Sequence, residues 1–309
     1  MERLLLIDAH AILHRAYHAF PKTLKTKKGE LTNAVYGFTS IILTGFKQLK
    51  PKYAAIAFDL PKPTFRHRKF KGYKAKRPKT DEELINQIPR AYEIIKVLNI
   101  PFFVKEGYEA DDIIGTLAKK AGQNKKIEVV ILTGDRDALQ LIDNKIKVFL
   151  PGRGKRPSLM FDKKAFLNQY LFEPRRLIDY KALAGDSSDN IPGVRGVGPK
   201  TATNLITKYG SLKEIYNNLE RIEEKVRIKL IKEKKIAFLS YDLAEIQINL
   251  NLKLDFKKSI LKDYNQTKTI SLFEELEFKS LIYRLPGYIK QEKEIINIKK
   301  DPNKQMGLF

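Results

Sequence analysis

The 309-residue chain has no cysteine, so disulfides and thiolate metal sites are unavailable to it. It has no long apolar span and no signal-peptide pattern, which argues against a membrane-spanning or secreted protein and sets the expectation of a soluble, cytoplasmic one. No internal repeat is found. The length allows one large domain or two modest ones. Acids are the minority charge, 36 Asp and Glu against 59 Lys and Arg, for a formal net charge of +23. Such an excess points to a polyanionic partner. A Lys-rich composition from base bias would give the same total, so the clustering of charge has to decide.

The few acids are grouped. Glu109, Asp111 and Asp112 fall within four residues, after the apolar run Ile100-Pro101-Phe102-Phe103-Val104 and before the helical pattern of Ile113, Ile114, Leu117 and Ala118. They occupy a strand-to-helix junction, where one acid would serve as a cap. Three crowded acids repel one another and raise each other's pKa unless a cation neutralises them. Other apolar runs end the same way. Leu4-Leu5-Leu6-Ile7 leads to Asp8, Tyr53-Ala54-Ala55-Ile56-Ala57-Phe58 to Asp59, and Val129-Val130-Ile131-Leu132-Thr133-Gly134 to Asp135, with Asp137 two residues on. Continuous apolar runs are strands buried on both faces, so the expected fold class is α/β, a mostly parallel central sheet covered by helices. Ligands of such sheets bind outside the carboxyl ends of the strands. A further pair, Asp186 and Asp189, follows in Ala184-Gly185-Asp186-Ser187-Ser188-Asp189. Oxygen-only ligands select hard divalent cations such as Mg²⁺ or Mn²⁺.

In order and local context these nine acids resemble the metal-binding acids of the structure-specific 5′ nucleases. That family holds the flap endonucleases and the 5′-3′ exonuclease domain of bacterial DNA polymerase I, and the bacterial domain is the closer match, here in a chain without a polymerase. The resemblance runs from about Leu4 to about Leu285. It implies a PIN-like 5′-nuclease core and a metal-dependent 5′-3′ exonuclease and flap endonuclease. Such an enzyme hydrolyses phosphodiesters at 5′ flaps and nicks in DNA, in primer removal and repair, and leaves a 5′-phosphate and a 3′-hydroxyl. Two or more divalent ions are implied, an inner set held by Asp8, Asp59, Glu109, Asp111 and Asp112 and a second by Asp135, Asp137, Asp186 and Asp189. Arg15 matches a family arginine near the scissile phosphate, and a guanidinium suits that charge; an ion pair to a site acid is its plainer role. His10, His14 and His18 recur every four residues and could share a helical face able to bind zinc. A hard-cation site needs no His, so polar surface or phosphate contact is the preferred reading for them.

Residues 62–79 carry nine Lys or Arg and no acid, with Phe65, Phe70 and Tyr73 interleaved. A helix face would normally mix signs, whereas cations with aromatics suit single-stranded nucleic acid. The position matches the family's helical arch, here about residues 62–98, and Tyr73-Lys74-Ala75-Lys76-Arg77-Pro78 resembles its motif. The resemblance makes Tyr73, Lys74 and Arg77 DNA contacts, and Lys74, Arg77 and Arg15 the catalytic candidates. Residues 81–98 read as an amphipathic helix kinked at Pro89.

Residues 162–242 read as a helical module after a nuclease core over residues 1–161. Its centre, Ile191-Pro192-Gly193-Val194-Arg195-Gly196-Val197-Gly198-Pro199-Lys200-Thr201-Ala202, sets three glycines before a proline fit for the first helical position. Exposed N–H groups there can hold a phosphate. The stretch resembles a helix-hairpin-helix element gripping one strand of duplex DNA, with Gly193, Arg195, Gly196, Gly198, Lys200 and Thr201 as contacts and a K⁺ ion in relatives. Residues 243–250 alternate and read as a late strand, residues 272–281 as a short helix, and 243–286 as the closing part of the nuclease fold. The tail, 287–309, is polar and Lys-rich and is expected to be disordered. Its end, Gln305-Met306-Gly307-Leu308-Phe309, looks like a sliding-clamp motif with Gln305, Leu308 and Phe309 as anchors. A monomer is expected. Two alternatives remain at this level: a non-catalytic structure-specific DNA-binding protein, which the loss of an acid would favour, and an RNA-directed nuclease of related fold, which would usually lack the hairpin module.

Overall fold

The computed structural model describes residues 1–288 apart from 153, 155, 262 and 263. Gln305, Leu308 and Phe309 lie outside the described residues.

One sheet organises the chain. Its strands are β1 (Glu2–Asp8), β2 (Tyr53–Ala57), β3 (Phe102–Phe103), β4 (Ile127–Leu132), β5 (Ile146–Leu150) and β6 (Leu159–Phe161), in spatial order β3-β2-β1-β4-β5-β6. The first five run parallel, and β6 pairs antiparallel at the edge. Side chains alternate across it. Leu4, Leu6, Ala55, Val129 and Ile131 join one buried cluster, and Leu5, Ile7, Ala54, Ile56, Val130 and Leu132 the other.

Helices α1 (Ala9–Ala19) and α2 (Asn33–Leu49) follow β1, and α3 (Phe65–Lys69), α4 (Glu82–Ile85) and α5 (Ile88–Val97) follow β2. With α6 (Ala110–Gly122) between β3 and β4, both faces are covered: Ile113 and Leu117 of α6 pack on one, Ile12, Phe38, Ile42 and Ile94 of α1, α2 and α5 on the other. After β1 the chain builds β2 and β3 to one side and then crosses to place β4 on the other. The strand order therefore reverses beside β1, the topological position where open α/β sheets bind ligands. Pairing of Asp8 with Ala57, and of Ile7 with Leu132, brings the three carboxyl ends to one level.

The helical part comprises α7 (Lys163–Tyr170), α8 (Leu177–Ala184), α9 (Pro199–Tyr209), α10 (Leu212–Asn217), α11 (Glu224–Lys232) and α12 (Lys234–Ala244). Its apolar side chains are continuous with those of α6. The last helices are α13 (Gln266–Glu275) and α14 (Lys279–Ile282), so the helix expected at 272–281 is two helices broken between them.

Two other expectations change. Pro89 does not kink a long helix; it sits in the first turn of α5, where its missing N–H costs nothing, and the chain breaks between α4 and α5. Residues 245–250 do not rejoin the sheet and belong to none of its six strands. They run over α6 instead: a Cβ on Gly115 would stand 2.7 Å from Ile246 and 3.3 Å from Ile248, and Gln140 hydrogen-bonds Ala244 O and Ile246 N. The alternation seen in the sequence is burial against a helix.

Candidate metal centre and nucleic-acid interface

Each acid is delivered by a local structural necessity. Asp8 ends β1 and caps α1, its Oδ1 accepting from Ala11 N at 3.0 Å and its Oδ2 from the Thr133 hydroxyl at 2.8 Å. Asp59, two residues beyond β2, accepts from Ala110 N at 2.7 Å and so ties that strand end to the start of α6. Glu109 is the N-cap of α6 and Asp111 lies in its first turn. Asp135 and Asp137 follow β4, with Asp137 N donating to Asp135 Oδ1 at 2.9 Å.

Asp186 and Asp189 come from a tight hairpin after α8. Asp186 and Ile191 exchange both backbone hydrogen bonds, at 2.9 and 2.8 Å, and Asn190 takes the left-handed conformation (φ 55°) that closes the turn. The base of the hairpin is packed backbone to backbone: a Cβ on Gly193 would fall 2.3 Å from Gly185 N. Only glycine fits there.

Asp8, Asp59, Glu109, Asp111 and Asp135 line one cavity of about 390 Å³ together with Lys74 and Arg77. Asp111 is the most isolated, its Oδ1 buried without a hydrogen-bond partner among the described residues. Burial, and then the charges of Asp8 and Asp135, push its carboxyl well above the usual range. Burial and then Asp59 raise Asp8 to about 7; burial and then Asp135 raise Asp137 to about 7 against the pull of Lys181. Burial also opposes ionisation of Asp186, but the Lys181 ammonium at 2.5 Å outweighs it and holds that carboxyl down at about 2.

Cations stand among these acids. Lys181 bridges Asp137 and Asp186, Lys74 Nζ lies 2.9 Å from Glu109, and Arg77 lies 2.5 Å from Asp189. The backbone of residues 72–74 also grips the hairpin, through Lys74 N to Asp189 O at 2.9 Å and Asn190 Nδ2 to Gly72 O at 2.6 Å. The part of the basic run that carries Lys74 and Arg77 is thus folded onto the acids.

Four expected contacts are placed differently from the sequence reading. Asp112 is turned away from the cavity and fully buried, both its oxygens taken at 2.8 Å by the Arg66 guanidinium, with Glu109 N and Gln247 N as further donors. No lone pair direction toward the cleft is left to it. Tyr73 is 3% exposed and directs its hydroxyl at Glu109 and Asp189, so its ring offers no stacking face. Gly193 is buried and donates its N–H to Ser240, so it has none for a phosphate. Arg15 is half-buried and donates to the Pro151 carbonyl, outside the cavity lining. By contrast Arg195, Gly196, Gly198 and Lys200 are exposed around the start of α9, with Gly198 as N-cap, Pro199 in the first turn and Thr201 half-buried behind them.

A family model described as "5'-3' exonuclease, N-terminal resolvase-like domain" matches residues 3–171, and one described as "5'-3' exonuclease, C-terminal SAM fold" matches residues 172–267. The chain belongs to the 5′-3′ exonuclease family. By that family it is a nuclease.

Among relatives, a "5'-3' exonuclease" of Aquifex aeolicus is 36% identical over 94% of this chain and 98% of its own length. A "DNA polymerase I" of Caldicellulosiruptor bescii is 41% identical over 92% of this chain; the chain spans about a third of the length of such polymerases, 33% in this case. A solved structure of the T5 5′-exonuclease with bound zinc has the same fold, with a TM-score of 0.67 at 22% identity over 89% of this chain and all of that one. The catalytic core of Rad2 in complex with a DNA substrate aligns with a TM-score of 0.58 at 17% identity, covering 92% of this chain and 93% of that one.

Among the described residues no three acids close as a cage around one point. The donor set still fits hard divalent cations. Its acids offer only oxygen, they include the orphaned Asp111 Oδ1, and burial, followed by the neighbouring carboxylates, raises Asp8, Asp111 and Asp137.

Two residues that pair with these acids, Lys181 and Arg66, escaped the sequence reading. Lys181 carried a signal, a lone lysine between Asp179 and the buried Ala182 and Leu183 of α8, five residues before Asp186. Arg66 carried none, being one of nine cations in a uniform run.

Proposed function

We propose that this exonuclease-family chain hydrolyses phosphodiester bonds at 5′ flaps and nicks in DNA, in primer removal and repair, using Mg²⁺ or Mn²⁺. The supporting observation is the gathering of Asp8, Asp59, Glu109, Asp111 and Asp135 at the reversal point of the sheet, directly under Lys74 and Arg77 of the basic run. Those five acids would hold an inner ion, Asp135 taking the place expected of Asp112 because it lines the cavity and Asp112 does not, and Asp137, Asp186 and Asp189 would form the second set. When bound, such ions lower the pKa of water and stabilise charge on attacking and leaving oxygens.

The chain's own residues do the rest. Asp112, locked by Arg66, holds the α6 N-terminus so that Glu109 and Asp111 face the cleft. Lys74 and Arg77 sit where a phosphate displacing them from Glu109 and Asp189 would find paired cations. The start of α9 offers backbone N–H groups and Lys200 to a duplex phosphate without reading bases; a K⁺ ion at this turn belongs to the same reading. Gln305, Leu308 and Phe309 would bring the enzyme to a sliding clamp, and work on chromosomal DNA would place it in the cytoplasm as a monomer.

The test is incubation with end-labelled flap, nicked and single-stranded DNA, with Mg²⁺ or with EDTA. Cleavage of flap and nick in Mg²⁺ alone, leaving 5′-phosphate and 3′-hydroxyl ends, is expected. Cleavage that persists in EDTA, or inert flaps in Mg²⁺, would overturn the proposal. The reading as a non-catalytic DNA-binding protein is the less favoured one, because every acid of the resemblance is present in the sequence and Asp8, Asp59, Glu109, Asp111 and Asp135 line one cavity, although Asp137, Asp186 and Asp189 lie outside that lining, paired with Lys181 and Arg77.

A further inference from the structure

Beside the acid-lined cavity lies a second one of about 500 Å³, within the roughly 300–1,000 Å³ of small-molecule sites. Its walls are Leu60, Leu84, Ile85, Ile88, Pro89 and Tyr92. His10, His14, Asp59 and Thr80 line both cavities, so the two open onto one another at the strand end that carries Asp59. Tyr92 is a fixed wall, its ring stacked on Phe58 at 4.0 Å, while Ile85 stands 47% exposed at the mouth. What sets this cavity apart is its place, walled by apolar side chains and continuous with the acid-lined one through His10, His14, Asp59 and Thr80.

What fills it is set by its neighbours. Pro61 and Thr80 line this cavity, and they flank the basic run of residues 62–79 at its two ends. A strand whose phosphates follow that run must pass the cavity mouth. The scissile phosphate belongs in the adjoining acid cleft, so the nucleotide bonded to it falls at the shared wall. A base paired in duplex has no face to bury, whereas one on the flap side has both faces bare. We propose that the apolar cavity seats the unpaired base of the flap nucleotide next to the scissile phosphate. Burial of that base would fix the phosphate's position and favour cutting where an unpaired nucleotide begins. The inference rests on the flap-cleavage reading above.

The test uses flaps carrying either a normal nucleotide or an abasic residue immediately on the flap side of the cut. Wild type should cut the abasic flap about tenfold more slowly, the scale of one lost base-stacking contact. Ile85→Ala, an exposed position, should shrink that difference to about threefold or less by slowing the normal flap, with duplex binding unchanged. Ile88→Trp, which fills the cavity, should do the same. A 2-aminopurine at the same flap position, read by fluorescence in EDTA, should report burial in wild type and lose that signal in Ile85→Ala. Equal cutting of both flaps by wild type, an abasic penalty that Ile85→Ala leaves intact, or a fluorescence signal identical in the two proteins would overturn the assignment. If wild type fails to cut the normal flap, the flap reading falls, and the fluorescence comparison decides the base site alone.

Discussion

Arg66 holds Asp112 through two parallel hydrogen bonds of 2.8 Å, with the guanidinium 3% and the carboxylate 0% exposed. The same guanidinium donates to Leu243 O and Glu245 O, so one side chain joins the basic run, the helix carrying Glu109 and Asp111, and the end of α12. Removing one partner of a buried pair leaves an uncompensated charge. Asp112→Ala should therefore lower the unfolding free energy by about 3–5 kcal/mol. Denaturant titration of the purified variant checks this, and a loss below about 1 kcal/mol would show that water or another acid replaces the carboxylate.

Asp111→Asn should behave in the opposite way. It removes a buried, unpartnered oxygen's charge from among like charges, so cleavage in Mg²⁺ should vanish while flap binding stays and metal-free stability rises. Normal turnover by the purified variant would contradict the metal assignment.

Stability without metal should depend on pH. Asp8 and Asp137 are raised in the fold to about 7 from an ordinary 3.8. A carboxyl so raised binds more protons folded than unfolded, so stability falls as pH climbs between those values and the cost is complete above about 7. In EDTA the unfolding temperature should be lower at pH 8 than at pH 5.5, and added Mg²⁺ should raise it more at pH 8. A metal increment independent of pH would count against shared coordination by these acids.

Lys74→Ala and Arg77→Ala should reduce flap cleavage by an order of magnitude or more while leaving duplex binding within about twofold. Both cations face Glu109 and Asp189 rather than the start of α9. Equal losses on flap cleavage and duplex binding would show that the run is only a general basic surface.

Gly198→Val and Lys200→Glu should weaken duplex binding irrespective of sequence, and the salt dependence of the remaining affinity should be shallower. Binding measured by anisotropy between about 50 and 200 mM salt tests this. An affinity insensitive to salt would remove the proposed phosphate contacts. Deleting residues 305–309 should abolish clamp binding with flap cleavage unchanged; a truncated chain that still binds the clamp would remove that motif from the account.

The apolar runs ending in Asp8, Asp59 and Asp135 determined, from sequence alone, a parallel sheet with acids along its carboxyl edge. Full burial on both faces admits only apolar side chains, and that demand is written residue by residue. Pro199 and the glycines before it likewise announced the start of α9. What the sequence left open is which way a side chain turns. Asp111 and Asp112 are neighbours on a helix, about 100° apart around its axis, and either could face the cleft. Arg66, 46 residues away, decides it by taking both oxygens of Asp112. Tyr73 carries an arch motif yet is buried between Glu109 and Asp189, which are 36 and 116 residues distant. Residues 245–250 alternate as a strand would, but they pair with no strand, and α6 takes their apolar side. Periodicity records that a face is buried, and only the tertiary structure decides against what, because the partners are long-range contacts that no local pattern encodes.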